Sequence, residues 1–114
     1  MPVHYLEIVT PDVETICATY AQIHGVTFGA PDPYLGGART APLAEGGTIG
    51  VRAPMHSAEQ PVVRPYTLVE DIVASVAAAE EAGAEIALGP TELPGHGQCA
   101  ILIQGDVQLG LWQR

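Results

Sequence analysis

Residues 64–83 read RPYTLVEDIVASVAAAEEAG, a short stretch that changes character twice. Its opening, through Val69, is strand-like, with Tyr66, Thr67 and Leu68 among its β-formers. Asp71 then offers a carboxylate to cap a helix, an alanine-rich run follows, and Gly83 stops it. Residues 3–25, VHYLEIVTPDVETICATYAQIHG, repeat the pattern. VHYLEIV is strand-like, Thr10 can cap, Pro11 suits the first helical position, and Asp12 and Glu14 suit the positive end of a helix dipole. Val13, Ile16, Cys17, Tyr20 and Ile23 or His24 then recur at helical spacing until Gly25 closes the run. Strand, helix and stop therefore occur twice.

Short β-leaning stretches broken by turn residues follow each helix. They are VTFG (26–29), ARTAPL (38–43) and GTIGVRAP (47–54) in the first half, and EIALGP (85–90), GQCAILIQ (97–104) and VQLGLWQ (107–113) in the second. In the last of these, Val107, Leu109 and Leu111 alternate with Gln108, Gly110 and Trp112, so a strand there carries its aliphatic side chains on one face and Trp112 on the other. The chain reads as one domain, 1–114, made of two βαβββ modules at about 1–55 and 63–114, with a proline-rich connector at about 53–62. The expected fold class is α+β: two modules forming a curved mixed sheet around a central cavity, with the helices outside.

Composition narrows the function. The chain carries 13 acidic residues against 4 basic ones, a formal charge of −9. The basic residues are Arg39, Arg52, Arg64 and Arg114, with no lysine among them, so the surface lacks the clustered cations that nucleic acid and anionic lipid require. No nucleic-acid or membrane partner is expected. The N-terminus lacks a basic segment followed by an apolar one, which points to the cytoplasm. Cys17 and Cys99 share no metal-binding or redox spacing and read as small buried hydrophobes. The glycine pairs at 36–37 and 46–47 precede no helix with phosphate-loop spacing and read as turns.

PYTLVEDI (65–72), AEEAGA (79–84), ELPGHGQCAIL (92–102) and LGLWQ (109–113), together with YLEIVTPD (5–12), resemble in order and spacing the vicinal oxygen chelate superfamily. That group includes glyoxalase I, the bleomycin-resistance proteins and the extradiol dioxygenases; the likeness is to a hydroxylase-like subgroup and spans essentially the whole chain. The resemblance implies a cavity between the modules, a homodimer and, in the enzymes, a divalent metal held by four inward side chains. On the last strand the position implied for a ligand glutamate is Gly110; on the fifth it falls near Arg64. On the first it is Tyr5, or His4 after a one-residue shift, and around Gly50 to Arg52 there is no carboxylate or histidine. Glycine offers no ligand atom and arginine repels a cation, so no metal and no cofactor are expected. Gly110 reads as a vacated position that leaves room for an organic ligand or for a neighbour such as Trp112.

The candidate catalytic residue is Glu7, on the same face of its strand as Tyr5 and Val9. It serves either as a general base or as the partner of Arg39, Arg52 or Arg64. Candidate ligand-binding residues are Tyr5, Tyr66 and Trp112 through their rings, Arg52 and Arg64 as carboxylate or enolate clamps, and His96 from the PGHG loop. His4 reads as outward-facing and His24 as a helix-end residue. The leading expectation is a protein that binds a small organic molecule in the cavity without a metal. The alternatives are a metal-dependent lyase, isomerase or dioxygenase, a metal-free enzyme with Glu7 as base, and a structural module whose cavity its own side chains fill.

Overall fold

The first strand gives way to the first helix at residues 10–12, where Thr10 Oγ1 accepts the Asp12 N–H at 3.0 Å; the N-cap is Asp12 and not Thr10, and no side chain caps the helix. The computed structural model describes residues 1–114 and runs β1 (Val3–Val9), α1 (Val13–His24), a 3-10 turn (Pro33–Leu35), β2 (Arg39–Pro42), β3 (Thr48–Arg52), β4 (Val62–Leu68), α2 (Ile72–Glu81), β5 (Glu85–Leu93), β6 (Gly97–Gln104) and β7 (Val107–Gln113). Helix α1 begins two residues after Pro11, which therefore precedes the helix instead of opening it. Gly25 closes α1 in the left-handed conformation, its N–H donating to Ala21 O at 2.9 Å, a geometry that costs glycine little. Asp71 caps α2 as its position implies, accepting from Ala74 N.

The chain divides into two compact units, residues 5–63 and residues 1–4 with 64–114. In the N-terminal unit the sheet order is β2, β3, β1, with β2 antiparallel and β1 parallel to β3. Alternation sends Leu6 and Ile8 to one face of β1 and Tyr5, Glu7 and Val9 to the other. The first face packs on α1: Ile8, Ile49, Val51 and Ala41 form one cluster with Cys17 and Phe28, and Val13, Ile16 and Tyr20 join it. The expected strand at VTFG is absent. Those residues make one ladder-like bond, Gly29 N to Thr40 O, and Phe28 is spent on the core beside α1, so the first half is βαββ rather than βαβββ.

The C-terminal unit completes the βαβββ pattern, in the order β4, β7, β6, β5. Strands β4 and β7 are parallel, while β6 is antiparallel to both β7 and β5. Residues 1–4 join this unit through the Leu68 N–H, which donates to Pro2 O at 2.9 Å. Helix α2 lies on the face of Ala100, Leu102 and Gln104, where Gln104 Nε2 donates to Ala82 O and Gln113 Oε1 accepts from Ile72 N. The β6–β7 hairpin turns on Gly105 and Asp106 alone, both with positive φ (58° and 63°). On β7 the buried members are Gly110 and Trp112, whereas Val107 and Leu109 are 54% and 38% exposed, so burial follows the tryptophan face and not the aliphatic one. With two helices, seven strands and both parallel and antiparallel pairs, the class is α+β with mixed pairing. No helix is long and apolar enough to cross a membrane.

Candidate functional site

In the N-terminal unit, the sheet face that α1 leaves uncovered carries a buried charge network. The β1–β3 register sets Glu7 beside Gly50 and Val9 beside Arg52, so that Glu7 and Arg52 emerge on one face. Arg52 Nε donates to Glu7 Oε2 at 2.8 Å, and both residues are buried, 5% and 6% exposed. The rest of the guanidinium faces the connector, where Nη1 donates to Glu59 Oε1 at 2.9 Å and Nη2 to Glu59 Oε2 at 2.7 Å. Glu59 Oε1 also accepts the Met55 N–H at 2.7 Å. Bidentate charge-assisted pairs of this kind are the strong ones. Among the arginines open to Glu7, Arg52 is a partner that it meets, whereas Arg39 pairs with Glu14 at 2.7 Å on the helix side.

Tyr5 shares this face and is buried. Its hydroxyl lies over Gly50, where a Cβ would overlap it. Burial, reinforced by the Glu7 carboxylate, pushes the Tyr5 phenol well above its usual range, so it stays protonated at any physiological pH. The Arg52 hydrogen bonds, with the Met55 N–H, hold Glu59 down at about 2 against burial.

In the C-terminal unit the face opposite α2 carries the matching residues. Register places Tyr66 beside Gly110 and Leu68 beside Trp112. The Tyr66 ring lies across Gly110, so a Cβ there would overlap it, and it meets Trp112 edge-on with centroids 5.7 Å apart. The space at Gly110 is thus taken by Tyr66 and not by Trp112. Buried Arg64 donates from Nε to Gln108 Oε1 at 3.0 Å and from Nη1 to the Tyr66 hydroxyl at 3.2 Å. Trp112 Nε1 donates to His96 O at 3.0 Å, so the PGHG loop reaches this face through its backbone. His4 is half-buried against Trp112, centroids 5.4 Å apart, rather than simply outward-facing. Burial and then the Arg114 charge lower its pKa, which keeps the imidazole neutral near pH 7.

The donor sets do not suit a divalent metal. Within neither unit do three His, Cys, Asp or Glu side chains come together as a ligand group. Of the four positions implied by the resemblance, Gly110 lies under the Tyr66 ring, Arg64 is a cation, the first-strand position is Tyr5 or His4, and the stretch from Gly50, which lies under Tyr5, to Arg52 offers no carboxylate or histidine. Sequence reasoning missed Glu59 and Gln108, the partners that hold the arginines. Glu59 stands seven residues beyond Arg52, inside a connector whose composition signals only a linker, and nothing in that signal points back to the sheet.

Glu59 makes stability depend on acid. Its folded pKa is depressed to about 2 from 4.5, so its contribution is fully present above pH ~4.5 and is lost as pH falls towards 2. The expected result is that Glu59→Gln lowers the urea midpoint at pH 7 and that the gap to the wild type narrows by pH 3. A constant gap over that interval means that Glu59 titrates alike in the folded and unfolded chains.

Solved structures share this architecture. A hypothetical protein of Bacillus halodurans C-125 superposes with a TM-score of 0.78 at 14% identity, over 99% of this chain and 94% of that one. Methylmalonyl-CoA epimerase from Mycobacterium tuberculosis gives 0.70 at 15% identity, over 96% and 85%. A glyoxalase/bleomycin resistance protein/dioxygenase superfamily member from Vibrio splendidus 12B01 gives 0.69 at 13% identity, over 96% and 97%. No protein-family profile and no curated protein matches the chain.

Proposed function

Starting from the vicinal oxygen chelate fold, which this chain has, we propose that it binds a small organic molecule and holds no resident divalent metal. The observation that carries this reading is the Tyr66 ring across Gly110, a side chain standing where the resemblance implies a metal ligand. The binding surfaces are the two faces described above: Arg52 with Tyr5 in one unit, and Arg64, Tyr66, Trp112 and the His96 loop in the other. Each combines aromatic rings with a fixed cation, the usual makeup of a site for a small polar organic compound. A homodimer in the cytoplasm, with Cys17 and Cys99 reduced, completes the reading. Glu7 as a general base is less well served, because its carboxylate is engaged by the buried Arg52 guanidinium.

Elemental analysis after incubation with Mn²⁺, Fe²⁺, Ni²⁺ and Zn²⁺ and then desalting is expected to find almost no retained metal. A ratio close to one metal per chain overturns the metal-free reading and favours a metal-dependent lyase, isomerase or dioxygenase. Trp112 is the single tryptophan, so its emission reports on the C-terminal face. Saturable changes with members of a panel of small acids, aldehydes and aromatic compounds support binding. Flat titrations by emission and by calorimetry across that panel leave a structural module instead.

A further inference from the structure

We propose that Arg52 is the anchor for the carboxylate of a small organic ligand, and that Glu59 occupies this anchor in the free protein as an internal mimic of that group. This names the ligand class for the binding reading above and rests on it.

The geometry separates two carboxylates that share one guanidinium. Glu7 is fixed in the middle of β1, in register with Gly50, and takes only Nε. Glu59 takes the two-nitrogen edge with both of its oxygens, the fork-to-fork arrangement in which a guanidinium receives any carboxylate. The two residues are held very differently. Glu59 belongs to the irregular connector at 53–62, where residues 55–58 are exposed and Met55 is 63% exposed. The other hydrogen bonds of Glu59, from its N–H to His56 O at 3.1 Å and from the Met55 N–H to its Oε1, fold the connector on itself and not onto the sheet. A segment with few buried contacts opens at a small fraction of the global unfolding free energy.

Withdrawal of Glu59 leaves the Arg52 Nε–H on Glu7 in place and frees the outer edge of the guanidinium. A ligand carboxylate entering there restores both hydrogen bonds and the same charge, so no buried ion is left unpaired. Met55 moves with the connector. Its Cε sits on Gly36, whose left-handed conformation lets the 3-10 turn come close to the Arg52 stem. The device is selective, because any anion has to outcompete a tethered carboxylate. A ligand succeeds by adding contacts through the rest of its structure, and its apparent affinity falls by the fraction of chains in which the anchor is free.

The test is calorimetric titration with benzoate at constant ionic strength, with benzamide as the uncharged match. Glu59→Ala is expected to bind benzoate about ten-fold tighter than the wild type does, as removal of an occupant present in most chains requires, and benzamide is expected to be indifferent to the substitution. Equal benzoate affinities overturn the proposal. A measurement on the wild type avoids dependence on the variant's folding: benzoate, and not benzamide, should accelerate amide hydrogen exchange at residues 55–59, and unchanged exchange overturns the proposal as well. Failure here is distinct from failure of the binding reading. If neutral compounds shift Trp112 emission while Glu59 has no influence on benzoate, the chain binds organic molecules without this anchor.

Discussion

Arg52→Ala is expected to destabilise the protein by about 3–5 kcal/mol, the range found when one partner of a buried ion pair is removed and the other is left behind. The cause is Glu7: with Arg52 gone, a 6% exposed carboxylate in mid-sheet loses the Arg52 Nε–H that donates to it and the positive charge beside it. Glu59 loses the same partner but is nearer the surface and suffers less. Two comparisons separate this cause from loss of side-chain volume. Arg52→Ala combined with Glu7→Gln should recover part of the loss, because the buried negative charge is removed as well. Arg39→Ala, which breaks a pair with the exposed Glu14, should cost no more than about 1 kcal/mol. Urea midpoints for the four proteins decide the matter, and an Arg52→Ala cost as small as that of Arg39→Ala means the network is solvated.

Gly110→Ala carries the second large effect, a destabilisation of about 3 kcal/mol, at the upper end for forcing an extra carbon into a packed site. The added methyl meets the Cγ side of the Tyr66 ring, the part that cannot swing away without a change in χ1. The displaced ring also loses its edge contact with Trp112, so tryptophan emission should change along with the thermal midpoint. Tyr66→Ala in the same chain should relieve the overlap, giving a double mutant more stable than the two single losses add up to. Additive losses mean that the ring does not lie over Gly110.

The sequence was most legible where local chemistry and pattern agree. The span of β7 follows from alternation, those of β1 and β6 from β-favouring runs between turn residues, and α2 from a capping aspartate and a stop glycine. VTFG misled because a short apolar run serves equally as a strand or as core filler, and Phe28 is filler. The face bearing Tyr5, Glu7 and Val9 was readable from period 2 alone. The identity of Glu7's partner was not, since Arg52 is 45 residues away and reaches it only through the parallel β1–β3 register. The same holds for the occupant of the Gly110 space: Trp112 is its neighbour along the chain, but the β4–β7 register delivers Tyr66. Pairing between distant strands is a tertiary property, and no local pattern encodes it.

Gly105 and Asp106 determine more than the end of a hairpin. A two-residue connection in which both members take positive φ leaves the β6–β7 ladder one alignment, with Gln104 opposite Val107. Val107, Leu109 and Leu111 then share the face of α2, and the residues between them fall to the other face, Gln108 to Arg64, Gly110 to the tyrosine ring and Trp112 to the His96 carbonyl. A slip of β7 by one residue against β6 reverses that parity, presenting Leu109 and Leu111 to the tyrosine and arginine and turning the tryptophan towards α2. The contents of the C-terminal face are therefore dictated by an odd-or-even choice made at its far end, about 10 Å from Gly110 at strand rise. Such a slip exchanges a polar, aromatic floor for an aliphatic one without altering any residue of the site itself.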